Sequence, residues 1–212
     1  MTKSATYFSV LEACGKPGCP LCRVEQDAVI KFLDTLFYEQ VNELEMRERL
    51  RKSLGLCHEH AWLAADGMQG NALGLAILYE DILRVALEQL NGKKGKQRLA
   101  PTGECPACEQ RDNVRHRLLS VLTKHLAEDE MHAALEKSDG LCLSHLRWIL
   151  EHLKEASMRA DLLSVQQEKM ENLQAELVEF IRKNDYRFIH EGFGAERDAW
   201  RRAVAMGAGK KN

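Results

Sequence analysis

The sequence predicts an all-α protein made of two homologous helical units that form a helical bundle, with a long helix and a short C-terminal helical extension. Three observations support this prediction: a composition that suits helices, an internal repeat, and apolar residues at helical spacing inside each copy of the repeat. The 212 residues include only 4 prolines and 14 glycines, and residues that favour helices, such as Leu, Glu, Lys and Ala, are abundant.

An internal repeat organises the chain. The segment 52–60, KSLGLCHEH, aligns with 137–145, KSDGLCLSH, and the segment 19–22, CPLC, aligns with 105–108, CPAC. One C-x-x-C pair can arise by chance. Two such pairs, each followed at nearly the same distance by G-L-C-x-x-H, indicate a duplicated unit.

We predict four segments from this repeat. The first helical unit covers 1–92, and a polar linker rich in Gly and Lys covers 93–104. The core of the second unit covers 105–155. The long helix and the C-terminal extension cover 156–212.

Each unit is predicted to contain a run of helices, because its apolar residues recur at helical spacing. Gly55 supports the end of one of them, since glycine is common just past a helix end. The predicted ranges are about 19–38, 40–53, a third helix from 57, and 71–90 in the first unit, and about 106–126, 128–138, 142–152 and 156–183 in the second.

The long helix and the tail both carry apolar residues on one side. In the long helix this pattern predicts packing against the fourth helix of the first unit or against a second copy of the chain. The tail from Tyr186 to Val204 is predicted to form a turn and a short amphipathic helix, whose aromatic side chains dock on the body of the protein.

Eight residues of the repeat have the spacing of metal ligands. Proline favours the first position of a helix, so the first Cys of each C-P-x-C is expected at an N-cap, with the second Cys on the same side one turn later. The Cys and His of G-L-C-x-x-H are likewise three residues apart in the first turn of a helix. We predict one site within each unit: Cys19, Cys22, Cys57 and His60 in the first, and Cys105, Cys108, Cys142 and His145 in the second.

Three Cys and one His predict tetrahedral zinc, and two zinc ions are expected per chain. Three thiolates around Zn²⁺ leave a single net negative charge, which helix N-termini stabilise. Four protein ligands are typical of a structural zinc, whereas a catalytic zinc keeps one position open. We therefore predict a metal-binding helical scaffold or partner-binding protein, with units stapled by zinc and no catalytic residue.

Two other interpretations use the same cysteines. Three Cys and one His can hold an iron–sulfur cluster, and a C-x-x-C at a helix N-terminus can serve a redox switch that releases zinc. Thioredoxin-like oxidoreductases place that motif between strands, and no strand is predicted here. An enzyme is not favoured, because the sequence has no Gly-rich phosphate loop, no G-x-S-x-G and no H-E-x-x-H.

The repeat also separates ligands from other Cys and His residues. His58 aligns with Leu143, so His60 is preferred as the ligand and His58 is expected at the surface or beside the site. Cys14 has no Cys counterpart in the second unit and is expected to be a plain small residue. The remaining histidines lack ligand spacing and are expected on helix surfaces: His116, His125, His132, His152 and His190.

Composition limits the expected partners and location. Lys plus Arg number 30 against 32 Asp plus Glu, a formal net charge of −2, so no nucleic-acid partner is expected. Charged residues interrupt the most apolar stretch, 72–90, and the N-terminus lacks the pattern of a secretory signal. We therefore expect no membrane span, a cytoplasmic location, and either a protein partner or a homo-oligomer.

Several segments together resemble a known family. They are C-P-L-C, G-L-C-H-E-H-A-W, C-P-A-C, G-L-C-L-S-H and the closing E-G-F-G-A-E-R-D-A-W-R-R-A-V. The chain resembles, over nearly its whole length, an uncharacterised bacterial family known only as a domain of unknown function. The resemblance implies a bacterial, cytoplasmic protein and brings no activity with it.

Overall fold

Ten α-helices and two 3₁₀ turns make up the regular structure of the residues described by the computed structural model, which are 3–67, 72–91 and 99–209. No strand occurs among these residues. The prediction of an all-α protein is therefore confirmed.

The helix bounds follow the sequence prediction closely in most places. In chain order the helices are α1 Ala5–Cys14, α2 Pro20–Glu39, α3 Leu44–Ser53, α4 His58–Gly67, α5 Ala72–Leu90, α6 Pro106–His125, α7 Asp129–Lys137, α8 Leu143–His152, α9 Ala156–Lys183 and α10 Ala199–Ala208. The 3₁₀ turns cover Ile189–Glu191 and Ala195–Asp198, between α9 and α10.

Helix α1 was not predicted from the sequence. Its N-cap is Ser4, whose hydroxyl oxygen accepts a hydrogen bond from the backbone N–H of Tyr7 at 3.3 Å. Gly15 follows its last residue. A serine at the N-cap and a glycine past the end are recognised signals of helix boundaries. Both are present in the sequence and could have predicted this helix.

The predicted linker 93–104 lies partly outside the described residues, which resume at Leu99. Its last part is held by the end of α3. The backbone N–H groups of Thr102 and Gly103 both donate to the carbonyl oxygen of Lys52, at 2.7 and 3.1 Å.

Two compact units emerge from the contacts between described residues, and they do not coincide with the two copies of the repeat. We call them the terminal unit, which combines the residues up to Val24 with those from His116 onward, and the central unit, Glu25–Arg115. The N-terminal C-P-x-C segment thus lies in the same unit as the second G-L-C-x-x-H segment. This division differs from the predicted segments 1–92 and 105–155.

The central unit has a continuous apolar core. Helices α3 and α5 pack against each other. Beside the core, the carboxylate of the buried residue Asp81 pairs with Arg47 and Arg51 of α3 and with Arg84 of its own helix. The buried apolar residues of this core include Val29, Leu33, Leu36, Phe37, Val41, Met46, Leu50, Leu78 and Ile82.

The terminal unit is built around two helix contacts. Helix α1 packs on α7, where the hydroxyl of the buried residue Tyr7 donates to a carboxylate oxygen of Glu130 at 2.7 Å. Helix α10 packs on α8 and α9. In the segment before α10, Phe193 stacks on Phe180 of α9 with ring centroids 5.2 Å apart.

The C-terminal extension therefore docks on its own unit, although not through all of its aromatic residues. Tyr186 remains 82% exposed. The packing of α9 against α5 or a second copy of the chain stays a prediction. None of the described helices combines the length and the apolar character that a bilayer crossing needs.

Candidate metal centres

All eight predicted ligands lie in two clusters, but the pairing predicted from the sequence is wrong. The terminal centre consists of Cys19, Cys22, Cys142 and His145, and the central centre consists of Cys57, His60, Cys105 and Cys108. In each, the ligand atoms lie within 4.8 Å of one another. Each centre therefore takes its C-P-x-C from one repeat and its G-L-C-x-x-H from the other.

Two helices of unequal length lie between the two motifs of the first repeat. Helix α2 has 20 residues and is about 30 Å long, whereas α3 has 10 residues and spans about 15 Å. These two helices, with the short segments beside them, separate Cys22 from Cys57 along the chain. Cys19 lies with Cys142 and His145 of the second repeat, and not with Cys57 and His60.

Each centre is built at two helix N-termini. Cys19 and Cys142 immediately precede α2 and α8, and their carbonyl oxygens accept hydrogen bonds from Arg23 and Leu146 at 3.2 and 2.8 Å. In the central centre, Cys57 and Cys105 precede α4 and α6 in the same way. The predicted N-cap placement is thereby confirmed, with proline at the first helical position after Cys19 and Cys105.

The terminal centre is tightly grouped around the ring nitrogen of His145. Its Nδ1 atom lies 3.3 Å from the Sγ atoms of Cys22 and Cys142 and 3.5 Å from that of Cys19. The Sγ atoms of Cys22 and Cys142 are 3.7 Å apart. That separation is far beyond a disulfide bond of about 2.05 Å, and the cysteines are free thiols.

The central centre repeats this arrangement. Nδ1 of His60 lies 3.2 Å from Sγ of Cys57, 3.5 Å from that of Cys108 and 3.6 Å from that of Cys105. The Sγ atoms of Cys57 and Cys108 are 3.6 Å apart. Because the same ring nitrogen faces the sulfurs in both centres, a metal bound there would leave the proton of each imidazole on Nε2.

These separations fit one tetrahedral ion in each cluster. Zinc bonds of about 2.3 Å to sulfur and about 2.0–2.1 Å to nitrogen place neighbouring sulfurs about 3.8 Å apart and a sulfur and a nitrogen about 3.6 Å apart. The measured sulfur–sulfur distances of 3.6 and 3.7 Å lie close to the first value. The sulfur–nitrogen distances range from 3.2 to 3.6 Å, so the longest of them equals the expected sulfur–nitrogen separation.

Local electrostatics favour a cation among the thiols. Burial raises the pKa of Cys108 to about 12. In the terminal centre the hydrogen bond between Cys19 and Cys142 raises the pKa of Cys19 and lowers the pKa of Cys142. Three thiolates this close together need a compensating positive charge, which a metal ion supplies.

The imidazole of the central centre is suited to metal binding. His60 is buried, and desolvation lowers its pKa. The neutral form of histidine is the one that binds metal. His60 is thus held in the state that a ligand requires.

Two glycines shape the loops that deliver Cys57 and Cys142. Gly55 and Gly140 have φ of +102° and +81°, a region that favours glycine. A Cβ atom on Gly140 would lie 3.0 Å from the side-chain oxygen of Gln166. The G-L-C sequence therefore provides both the turn and the first ligand after it.

Gln166 holds the loop of the terminal centre, and the sequence prediction missed it. This buried side chain of α9 accepts from the backbone N–H of Leu141 at 2.8 Å and donates to the carbonyl of Leu141 at 3.0 Å. Leu141 immediately precedes Cys142. The equivalent position of the first repeat is Asp81, which binds arginines instead, so the repeat contains no signal for this role.

A direct hydrogen bond joins the two segments that supply the terminal centre. The backbone N–H of Gly18 donates to Oδ2 of Asp139 at 2.7 Å. In the central centre the bonds from Thr102 and Gly103 to the carbonyl of Lys52 serve the same purpose. At both centres, a residue before C-P-x-C is hydrogen-bonded to a residue before G-L-C.

The C-terminal end of α10 contacts the terminal centre. Gly209, with φ of +85°, lies so close to the sulfurs that a Cβ atom there would be 3.2 Å from Sγ of Cys22 and 3.7 Å from Sγ of Cys142. No side chain larger than hydrogen fits without displacing these atoms.

The remaining Cys and His residues lie outside the two clusters. His58 is exposed, and its ring faces the edge of Trp62 at 6.5 Å, so the preference for His60 is confirmed. Cys14 is buried in α1, and burial raises its pKa to about 11. His125 is largely buried against Tyr7 and pairs with Glu128, so the expectation of a surface position was wrong for this histidine.

Comparison with known proteins agrees with the duplicated design. The sequence model of the family of unknown function DUF6062 matches twice, over residues 1–103 and over 92–212. A protein of Caldicellulosiruptor sp. (strain Rt8B.4), described as an uncharacterized 23.9 kDa protein in the xynA 3' region, is 32% identical over 209 residues, which is 94% of this chain and 99% of that protein. No solved structure matches the chain. Because two matches of one model together span the chain, the internal repeat is confirmed, and the protein belongs to the family of unknown function DUF6062.

Proposed function

We propose that the protein is a helical scaffold stapled by two structural zinc ions, one in each centre. The observation that carries this proposal is the closed set of three thiols and one imidazole, repeated with the same ring nitrogen facing the sulfurs. Four protein ligands complete a tetrahedron and leave no position for a substrate or an activated water.

Zinc accounts for the spacing better than a cluster of several irons. The ligand atoms of each centre all lie within 4.8 Å of one another, which suits ligands that share a single ion. A cluster distributes its cysteines over two or more irons and needs ligands that stand further apart. The two helix N-termini at each centre favour the net negative charge of zinc with three thiolates.

The ions would contribute to folding by joining segments that are distant in sequence. Cys22 and Cys142 are separated by 120 positions, and a metal bond between them closes a very long loop. Structural zinc sites contribute roughly 10 kcal/mol or more of apparent binding free energy in small domains. We therefore assign the metal a role in stability.

Elemental analysis of protein purified without oxygen tests the proposal. The expected result is two zinc ions per chain, with no absorption band in the visible range. Replacement by Co²⁺ is expected to give the intense visible bands of tetrahedral thiolate coordination. Iron with visible absorption in the native protein would contradict the assignment to zinc.

Removal of the metal tests the structural role separately. Complete chelation is expected to lower both the helical circular dichroism signal and the melting temperature, and added Zn²⁺ is expected to restore them. Unchanged helicity and melting after complete removal of both ions would contradict a structural role, even if zinc is the native metal.

A second candidate function is a redox switch, and the sulfur–sulfur distances favour it. Cys22 with Cys142, and Cys57 with Cys108, have Sγ atoms 3.7 and 3.6 Å apart. Hydrogen peroxide and two protons would convert each pair of thiolates to a disulfide and two waters, with release of the zinc ion. Reversible zinc release with these two disulfides, mapped by mass spectrometry, supports the switch, and irreversible oxidation without them opposes it.

We further propose that the protein works in the bacterial cytoplasm. A reducing compartment keeps cysteines as thiols, and zinc binding by three of them requires that state. The cytoplasmic assignment is tested by fractionation of the source cells, where recovery of the protein with periplasmic or membrane markers would oppose it.

A further inference from the structure

A partly enclosed cavity of about 510 Å³ in the terminal unit borders the terminal centre. Cys19 and Cys142 form part of its wall, together with the residues just before each of them, and α9 and α10 supply most of the rest. Small-molecule sites in proteins have volumes of about 300–1,000 Å³. The cavity is therefore large enough to hold a small organic molecule.

Three of the four basic residues that line this cavity have no acidic partner among the described residues. Lys137 and Arg201 line it, and neither pairs with a described carboxylate. The guanidinium of Arg201 lies over the ring of its neighbour Trp200, 4.9 Å from the centroid. Lys169 also lines the cavity and donates only to the backbone oxygen of Glu136.

The acidic groups of the cavity are already engaged. Asp139 accepts the backbone N–H of Gly18. Glu176 and Asp198 both pair with Arg202. Asp139 keeps its charge, because a backbone N–H group does not neutralise a carboxylate. Apart from the metal centre, four cations and three carboxylates line the cavity, so these side chains carry a net charge of +1, and Lys137, Lys169 and Arg201 are the cations outside ion pairs.

Apolar side chains supply another part of the wall. Leu141 and Leu173 are buried, and Ala205 and Met206 of α10 are half-buried. Ligand sites commonly combine apolar walls with a few polar groups that fix the orientation of the ligand. This wall suits a short hydrocarbon chain or an aromatic ring.

We propose that this cavity binds a small organic anion, whose carboxylate or phosphate group pairs with Lys137 and Arg201 and whose apolar body lies against α9 and α10. The site is additional to the metal-binding role. It does not depend on which metal the terminal centre holds, because none of the three cations is a metal ligand. It does depend on the loop before Cys142, which forms part of the wall.

Binding of 1-anilinonaphthalene-8-sulfonate, an aromatic anion whose fluorescence rises in apolar sites, tests the proposal on the metal-loaded protein. The test variant is Lys137→Glu with Arg201→Glu. The control is Lys124→Glu with Lys154→Glu, which makes the same charge change at exposed positions of the same unit, away from this cavity. Metal content and helicity are measured for every variant, so loss of a metal centre is distinguished from loss of the anion site.

The native protein and the control are expected to bind the probe alike, and the test variant at least tenfold more weakly. Octanoate and octyl phosphate are expected to displace the probe, and their relative strength identifies carboxylate or phosphate as the preferred group. Equal loss in control and test variants, or equal displacement by octyltrimethylammonium, would overturn the proposal.

A cavity-filling variant keeps the test independent of charge reversal. Ala205→Trp places a large side chain in the wall of the cavity without changing any charge. It is expected to abolish probe binding while both metal ions remain bound. Undiminished binding of the probe to this variant would also overturn the proposal.

Discussion

The Sγ atom of Cys22 lies 3.3 Å from Nδ1 of His145, although 123 positions separate the two residues. The counterpart in the central centre is the 3.5 Å distance between Sγ of Cys108 and Nδ1 of His60. The two repeats thus exchange ligands: each provides the C-P-x-C for one centre and the G-L-C-x-x-H for the other. A folded chain needs both repeats to complete either centre.

A substitution at Gly209 is expected to weaken one metal centre and not the other. In Gly209→Ala the new methyl group would lie 3.2 Å from Sγ of Cys22, in a backbone conformation with φ of +85°. Backbone with φ of +85° and ψ of −178° is almost exclusive to glycine, and it costs roughly 1–3 kcal/mol for a residue with a side chain. We expect one of the two ions to be released to a chelator roughly 5- to 150-fold faster, since about 1.4 kcal/mol corresponds to a factor of ten.

Two other glycines provide matched controls for this prediction. A methyl group added at Gly207 would meet open space, and Gly192 has a similar positive φ of +69° with nothing within 4 Å of the added group. Alanine at either position is expected to leave the release of both ions unchanged. If Gly192→Ala accelerates release as much as Gly209→Ala does, contact with the sulfurs is not the cause.

Loss of the Gln166 side chain is expected to destabilise the loop that carries Cys142. Gln166→Ala removes the partners of both backbone groups of Leu141, which are buried. Unpaired buried polar groups cost about 1–3 kcal/mol each, so the free energy of unfolding measured with denaturant is expected to fall by about 2–6 kcal/mol.

The exposed neighbour Gln167 serves as the control. Gln167→Ala is expected to change the free energy of unfolding by no more than about 0.5 kcal/mol, as is usual for surface substitutions. Equal stability of the two variants would show that Gln166 does not support the loop.

The stabilising effect of Glu196 is expected to depend on pH. Lys183, at 2.8 Å, together with the backbone N–H of Gly194, lowers the pKa of Glu196 to about 2. An unfolded chain has a Glu pKa of about 4.3. The folded state therefore binds fewer protons in this range, and the stabilisation is complete above the unfolded value and is lost as pH falls from about 4.3 to about 2.

Comparison of the native protein with Glu196→Gln measures this effect. The difference in melting temperature is expected to be largest above about pH 5 and to shrink as the solution is acidified, with Glu171→Gln as the exposed control. Because acid releases metal from both proteins, only the difference between them is informative. A difference that stays constant down to about pH 2.5 would exclude the ion pair as its source.

The repeat made much of this structure predictable. Spacing alone selected the eight residues that form the two clusters, favoured His60 over His58 and located eight of the ten described helices within a few residues. It also predicted a short helix in the tail, where α10 lies. These features are local, since they depend on residues one helical turn apart or on the match between repeats.

The errors concern relationships over longer distances. The spacing of motifs along the chain does not show which segments meet in the folded protein. The role of Gln166 depends on a side chain of α9 reaching the backbone of Leu141. The contact of Gly209 with the sulfurs depends on the course of the C-terminal tail in the folded chain. Neither position has a motif that predicts such a contact.

Metal content of paired variants tests the exchange of ligands between repeats most directly. Cys22→Ala with His145→Ala removes two ligands of the terminal centre, whereas Cys22→Ala with His60→Ala removes one ligand from each centre. The structure predicts that the first variant keeps one tightly bound ion per chain and that the second binds neither ion tightly. Two centres formed within the repeats predict the reverse, with one ion retained by Cys22→Ala with His60→Ala and none by Cys22→Ala with His145→Ala, and that result would contradict the exchange.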